Sequence, residues 1–249
     1  MNQDMSWSRI RPSDVEFEEV DGPAGRYPVR WLRQTNPYLV DAKIPVGCVI
    51  PAHWHRHDAV YMLLEGDWWM PTAPGTFTNP AEADELHRQG SPEADRVSFT
   101  SGDILWLRAG AVYGLVIESP VHLLVLSFGG SPEPRTDEAP PLPADGNQWM
   151  RTNMKELAPG ESVPMPASRP PNGSDHLVLS LVELESGTQR LDDDPGAESL
   201  SIVRRGNLRI EGESDYQLGD IRIASRGWAA GSVEIGEGGA ELLRFELGR

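Results

Sequence analysis

The sequence is poor in several residue types, and each shortage excludes a class of protein. It has one cysteine, Cys48, so no disulfide can form within the chain. Only Lys43 and Lys155 are lysines, and the formal net charge is −16. This charge argues against nucleic acid and against an anionic membrane surface as partners. No apolar run approaches the roughly 20 residues that span a bilayer. The polar N-terminus lacks the pattern of a signal peptide, so we expect a cytoplasmic protein.

Glycine and proline, by contrast, are abundant, with 25 and 22 residues. Frequent turns disfavour long helices, and the short runs of strand-forming residues between them predict an all-β class. Residues 15–20 are predicted to form an edge strand. Residues 71–97 differ from their surroundings, because prolines and glycines interrupt them and residues 81–88 allow about two turns of helix. We interpret 71–97 as an insertion, and a lid, a dimer arm or plain decoration are all compatible with it.

The spacing of the glycines indicates an internal repeat. The separation of Gly47 from Gly66 recurs between Gly187 and Gly206, and the motif Gly-Asp-Ile occurs at 102–104 and again at 219–221. Equal spacing of turn glycines implies two copies of one folding unit. We therefore predict an N-terminal domain over 1–130, a proline-rich linker over 131–147 and a C-terminal domain over 148–249.

Three of the six histidines are concentrated at one point of the first copy. His53, His55 and His57 occupy alternate positions, which share one face of an extended strand. Neutral imidazole is the commonest protein ligand for transition metals. The pattern therefore predicts a metal centre, with histidines that are merely hydrogen-bonded relics as the alternative.

The stretch that contains Gly47, His53, His55 and Gly66 resembles the first motif of the cupin superfamily. The resemblance implies a bicupin, which is an all-β protein of two tandem jelly-roll barrels. In this family a metal is held by the two histidines of the first motif, a glutamate after them and a histidine from a second motif. Of these ligands, the resemblance directly implies His53 and His55.

The remaining positions depart from the family pattern. Ala59 stands where the glutamate is expected, Tyr113 replaces the second-motif histidine and Arg108 replaces a proline. His57 and Asp58 are candidate replacement ligands, the latter if a small bulge re-aims it. Tyr113 is a candidate ligand or catalytic residue, or a buried tyrosine that donates a hydrogen bond.

Three further side chains are candidates for the predicted site. Arg108 is a candidate anion anchor, because guanidinium pairs with carboxylates, or else an exposed turn residue. Tyr61 is a candidate catalytic residue of an aromatic cavity, with core packing as the alternative. His122 on a later strand is a further histidine that an inward orientation would bring to the site.

The second copy lacks the ligands of the first. Asp193 and Pro195 occupy the positions of His53 and His55, and Ala230 occupies that of the second-motif histidine. We interpret this half as a structural or dimerising partner for the first.

These observations predict a metal-dependent enzyme whose N-terminal barrel acts on a small aromatic or enolisable substrate. The favoured reaction is of the dioxygenase type, an oxidoreductase reaction, with a divalent transition metal: iron first, then zinc, nickel or manganese. The alternatives are a non-redox cupin enzyme (isomerase, hydrolase, lyase or cyclase) and a non-catalytic ligand-binding bicupin. We expect a small-molecule partner, neither nucleic acid nor membrane, and a homodimer is one option for the assembly.

Overall fold

The computed structural model describes residues 7–22, 25–89, 95–131, 133–142, 147–165, 177–191, 196–225, 227–228 and 231–247. These residues fold as two compact units, which we call the first unit (within 15–156) and the second unit (7–14 with the described part of 157–247). Strands make up nearly all of the regular structure, as the abundance of turn residues predicts. The described residues contain no helix that is long and apolar enough to cross a membrane.

The elements follow one another along the chain as short strands with one intervening α-helix. Up to the end of the first barrel they are β1 Trp7–Ile10, a 3-10 turn Pro12–Asp14, β2 Glu18–Gly22, β3 Gly25–Arg33, β4 Tyr38–Ile44, β5 Val49–His53, β6 Asp58–Glu65, β7 Asp67–Met70, α1 Pro80–Arg88, β8 Val97–Thr100, β9 Asp103–Leu107, β10 Tyr113–Ile117 and β11 Val121–Phe128. The remaining strands are β12 Trp149–Asn153, β13 Ser162–Met165, β14 Leu177–Leu184, β15 Gly187–Arg190, β16 Glu198–Arg205, β17 Asn207–Ile210, β18 Asp215–Gln217, β19 Ile221–Ala224, β20 Ser232–Ile235 and β21 Ala240–Leu247.

The first unit consists of two antiparallel sheets that face each other. One has the strand order β12-β9-β6-β11-β4-β3-β2, and the other has the order β5-β10-β7-β8. Alternate side chains of both sheets enter a shared apolar core, in which Trp68 packs edge-to-face on Phe99 with ring centroids 5.8 Å apart. This arrangement is a jelly roll, and the edge strand predicted over 15–20 is observed at 18–22 as β2.

The second unit repeats the arrangement with the orders β1-β19-β16-β21-β14-β13 and β15-β20-β17-β18. The glycines that reveal the repeat have a structural role. Gly66 and Gly206 both have positive φ, at 86° and 75°, and a Cβ on either would collide with the carbonyl of a neighbouring turn. Only glycine tolerates both conditions, so the same residue recurs at both hairpins. The prediction of two tandem jelly rolls is confirmed.

The boundaries of the units differ from the predicted ones at two strands. β1 pairs with β19, so residues 7–14 belong to the second unit rather than to an N-terminal domain over 1–130. β12 pairs with β9, so 149–153 belong to the first unit rather than to a domain that begins at 148. In each barrel an edge strand distant in sequence completes the larger sheet, and a local sequence pattern does not reveal such long-range pairing.

The two segments predicted as an insertion and a linker both lie against the first unit. Within the insertion, Asn79 caps helix α1 by accepting the Ala81 N–H at 3.0 Å, and Pro80 occupies the first helical position. The helix contacts β5 and β10. Residues 133–139 of the predicted linker run along the end of β5, and we call this segment the strap. It is therefore part of the barrel wall rather than a free connection.

Candidate functional site

The two motif histidines lie where strand β5 ends. His53 is paired with Tyr113 of β10, and Trp54 forms an isolated bridge with Arg135 of the strap, which keeps the chain extended as far as His55. His53 and His55 therefore lie on one face. Their Nε2 atoms are 3.0 Å and 2.8 Å from the Tyr113 hydroxyl oxygen, and both residues are only 6% exposed.

The other ring nitrogen of each histidine is fixed by a backbone carbonyl. His53 Nδ1 is 2.8 Å from the Pro51 oxygen, and His55 Nδ1 is 3.1 Å from the Glu133 oxygen of the strap. A carbonyl only accepts, so both Nδ1 atoms carry the proton and donate it. In its neutral form each ring therefore directs an Nε2 lone pair at the same phenol, which is the tautomer that allows a histidine to ligate a metal through Nε2.

A second tyrosine completes this group of side chains. The Tyr61 hydroxyl from β6 is in close contact with the Tyr113 hydroxyl and lies 3.4 Å from His55 Nε2. We call His53, His55, Tyr61 and Tyr113 the histidine–tyrosine cluster. With both Nδ1 protons used elsewhere, two phenol protons serve the contacts within it. Lone pairs outnumber protons at this point of the barrel, an arrangement that favours a bound cation.

Burial determines the protonation of the cluster. It lowers the pKa of His53 below its ordinary value, although the Pro51 carbonyl and the Asp84 carboxylate oppose this effect. It also raises the pKa of Tyr61 to about 12, against a smaller opposing effect of the hydrogen bond with Tyr113. Burial, reinforced by Tyr61, raises the pKa of Tyr113 well above its ordinary value. At neutral pH both phenols are thus protonated and His53 is uncharged.

The structure does not bring His57 and Asp58 into the cluster. The alternation of the histidines ends because residues 56–57 form a bend between β5 and β6. His57 lies instead against Gly129 and Gly130. The Asp58 carboxylate accepts the Ala109 N–H at 2.8 Å and thereby holds the turn between β9 and β10. The predicted four-ligand set of His53, His55, His57 and Asp58 is therefore not assembled.

Arg108 and His122 form hydrogen bonds with residues outside the cluster. Arg108 is in the turn between β9 and β10, where its backbone N–H donates to the Gln148 oxygen, and its role as an anion anchor stays a prediction. His122 Nε2 is 2.8 Å from the buried Asp41 carboxylate, which also accepts from Arg30 at 2.7 Å. His122 therefore pairs with Asp41 and is not a member of the histidine–tyrosine cluster.

The ion-paired Asp41 predicts a pH dependence of stability. Burial tends to raise the pKa of Asp41, but the hydrogen bonds from His122 and Arg30 outweigh it and lower the pKa. A depressed folded-state pKa contributes stability that is present above the unfolded value of about 3.9 and is lost as the pH falls through the folded value. We expect Asp41→Asn to lower the free energy of unfolding by about 1–3 kcal/mol at pH 7. Urea titrations should show that the gap in unfolding free energy between variant and wild type shrinks below pH 4, and a gap that stays constant would contradict this.

The cluster fits a transition metal through three of its members. No three histidine, cysteine, aspartate or glutamate side chains in the described part of the chain form a group that could hold a metal. The phenol supplies the third donor instead. The Tyr113 hydroxyl oxygen lies 3.0 Å and 2.8 Å from the two Nε2 atoms, so the three donors are close enough together that one ion could share them. The fitting set is His53, His55 and Tyr113, with no carboxylate because Ala59 lies in the apolar core.

Sequence reasoning missed the groups that orient this set. The Glu133 carbonyl fixes His55 from the strap, and no sequence signal reveals a backbone acceptor. The Asp84 carboxylate of α1 accepts the Ala52 N–H at 2.7 Å, one residue before His53. For Asp84 the sequence contains a partial signal, because Ala83, Asp84 and His87 share one face of the short helix predicted there. Asp193, Pro195 and Ala230, the matching positions of the second copy, lie outside the described residues.

The chain has relatives among solved structures but none among family models or curated sequences. No family model matches the chain, and a sequence search of curated proteins gives no match. By structure, it is similar to oxalate decarboxylase from Lactobacillus farciminis in complex with formate, at 14% identity, with 100% of this chain and 87% of that chain covered and a TM-score of 0.58. It is also similar to the pirin YhhW from Escherichia coli in complex with nickel(II), at 12% identity, 98% and 99% coverage and a TM-score of 0.59.

A third structural relative comes from a different class of protein. It is the 11S globulin from Wrightia tinctoria, whose structure reveals an auxin binding site. The match covers 99% of this chain and 84% of that chain, at 12% identity and a TM-score of 0.61. Bicupins thus include metal-dependent enzymes, for one of which Mn(II) centres are described, as well as globulins. The full-length matches and the two jelly rolls show that the chain has the fold of these proteins, with two tandem jelly rolls in one chain.

Proposed function

We propose that the first unit binds one divalent transition metal through His53, His55 and Tyr113 and is a metal-dependent enzyme for a small molecule. The observation that carries this proposal is the convergence of two Nε2 lone pairs on one phenol oxygen, with both Nδ1 protons held by carbonyls. Hydrogen bonding inside a core does not require two histidines in the same fixed tautomer aimed at one atom. A metal site does require it.

The side chains of the cluster then have separate roles. His53 and His55 would hold the ion, and Tyr113 would be its anionic ligand once its hydroxyl proton has passed to solvent water. Tyr61 donates its hydroxyl proton to the Tyr113 oxygen and stabilises the phenolate charge. Because the pKa of Tyr61 is raised to about 12, it stays a donor at neutral pH. When bound, the ion supplies Lewis acidity and open coordination positions.

The absence of a carboxylate from the donor set determines the substrate class. Two neutral imidazoles and one phenolate leave a divalent ion with a net positive charge, and the core offers no compensating carboxylate at Ala59. A small anionic, enolisable or phenolic molecule would supply the compensating negative charge. We propose a dioxygenase-type reaction with iron as the metal and dioxygen as the co-substrate.

A second candidate function is that of a non-catalytic ligand-binding bicupin. The observation that favours it is that the four cluster side chains already form hydrogen bonds with one another. The fold is also that of a globulin with an auxin binding site. Metal content separates the two functions, because a ligand-binding protein whose cluster is only hydrogen-bonded would hold no ion. Protein purified without a tag or added metal should hold about one ion per chain if the enzyme proposal is correct.

Tyr113→Phe is the sharpest test of the proposed donor set. The variant keeps the ring and removes the ligand oxygen, so we expect metal affinity to fall by at least the roughly 10- to 100-fold seen for groups that only support a ligand. Loaded with ferric iron, the wild type should show the visible charge-transfer band of a coordinated phenolate, and Tyr113→Phe should lack it. Tyr61→Phe is the matched control and should retain the band. A band that persists in Tyr113→Phe would exclude Tyr113 as a ligand.

A further inference from the structure

Two segments outside the barrel sheets contact the strand that presents the histidines. β5 is the edge strand of its sheet, so its outer N–H groups have no neighbouring strand. Helix α1 supplies a partner for one of them, since Asp84 Oδ1 accepts the Ala52 N–H at 2.7 Å. This bond is charge-assisted and fixes the backbone immediately before His53.

The strap holds the same strand one residue after His53. The Trp54 N–H donates to the Arg135 oxygen at 3.0 Å, and the Arg135 N–H donates back to the Trp54 oxygen at 2.8 Å. The Trp54 indole N–H donates to the Asp137 oxygen at 2.8 Å. With the Glu133 carbonyl on His55, the strap makes four hydrogen bonds to residues 54–55.

The helix and the strap also meet each other on the outer side of β5. The Ala139 N–H of the strap donates to the Thr78 oxygen at 2.8 Å, just before α1 begins. An apolar cluster joins the three segments, formed by Ala52, Trp54, Ala83, Val112 and Ala139 with Phe77 packed against it. The Trp54 side chain is only 7% exposed. Since Trp54 alternates with His53 and His55, its side chain packs outward while theirs point inward.

We propose that α1 and the strap form a clamp in which Asp84 and Trp54 act as positioning residues that fix His53 and His55 for metal binding. This inference rests on the proposed function and goes beyond it, because it gives the insertion and the strap a role in the site. A helix that only covered an edge strand would need apolar contact with β5. The Asp84 carboxylate adds a polar contact, which satisfies an edge N–H and fixes the backbone amide immediately before His53.

Asp84→Ala and Asp84→Asn together test the clamp. Asparagine keeps an acceptor for the Ala52 N–H, whereas alanine removes it. We expect Asp84→Ala to weaken Ni²⁺ or Mn²⁺ binding by about 10- to 100-fold, and Asp84→Asn to retain most of the affinity. Glu82→Ala removes a charge from the same helix at an exposed position and should bind as wild type does. Trp54→Phe keeps most of the packing, loses the bond to Asp137 and should weaken binding as well.

A second readout uses the metal-free protein and separates this inference from the proposed function. Imidazole ¹H–¹⁵N spectra report the tautomer and the Nδ1–H of His53 and His55 directly. We expect both rings to be Nδ1-protonated in the wild type, and their signals to shift or exchange in Asp84→Ala and recover in Asp84→Asn. If the wild type binds no metal, the proposed function fails, and these spectra still decide whether Asp84 positions the rings. Wild-type spectra and affinity in Asp84→Ala, even at lowered stability, would overturn the clamp.

Discussion

Replacing His53 and His55 together by alanine should reduce bound metal from about one ion per chain to background. The two Nε2 atoms are the only nitrogen donors directed at the Tyr113 hydroxyl within the histidine–tyrosine cluster. Without them only one phenol remains of the three donors that a divalent ion needs. Elemental analysis of protein reconstituted with Fe, Mn, Ni or Zn and then desalted measures this directly. Full metal retention in the double variant would refute the assignment.

The controls for this experiment come from the same chain. His57→Ala removes the third histidine of the motif, which lies against Gly129 and Gly130, and should keep full metal content. His87→Ala, in the insertion helix against Trp69, should do the same. Far-UV circular dichroism establishes that the double variant is folded. If it is not, His55→Gln keeps the side-chain volume and offers an independent variant, with the same expected loss of metal.

The sequence was sufficient to predict those parts of the site that depend on a regular strand. An i, i+2 spacing places His53 and His55 on one face wherever the chain is extended, and it is extended at both residues. The turn glycines were equally informative, because a positive φ and a close carbonyl at Gly66 and Gly206 admit no other residue. In both cases a local steric rule determines the residue type.

The failures have a common cause in contacts between residues distant in sequence. His57 was predicted as a third ligand by extending the strand by two residues, but the chain bends at 56–57. Asp58 was predicted as a ligand for its carboxylate, which the distant Ala109 N–H engages. The strap was interpreted as a linker from its prolines, and its main contribution, a backbone carbonyl on His55, is one that any residue could make.

The second unit illustrates the same limitation on a larger scale. Its sequence lacks the motif histidines, so we interpreted it as a structural or dimerising partner for the first. The structure shows a buried ion pair between Arg222 and Glu213, with 2% and 0% of the side chains exposed. Arg222 donates to both oxygens of Glu213, and Tyr216 and Trp228 donate at 2.9 Å and 2.8 Å. No spacing rule links these four residues, although they meet in one barrel.

Glu213→Gln should lower the free energy of unfolding of the second unit by about 3–5 kcal/mol. The carboxylate is the acceptor for four side-chain donors and neutralises a buried guanidinium. An amide has one acceptor oxygen, turns its NH₂ group towards donors and removes the negative charge that pairs with Arg222. Denaturant titration and calorimetry both measure this loss of unfolding free energy. The surface variant Glu237→Gln should change stability little, since it removes the same charge at an exposed position.

A double variant distinguishes a buried ion pair from a general intolerance of mutation at this position. In Glu213→Leu with Arg222→Met, neither charge remains, so the penalty for an isolated buried charge disappears. The double variant should therefore be more stable than Glu213→Gln, although it carries one more substitution and leaves the Tyr216 and Trp228 donors without their acceptor. If Glu213→Gln costs less than about 1 kcal/mol, as expected for an exposed pair, the buried pair does not stabilise the second unit. If the double variant is the less stable of the two, packing rather than charge compensation explains why a carboxylate occupies the interior of this barrel.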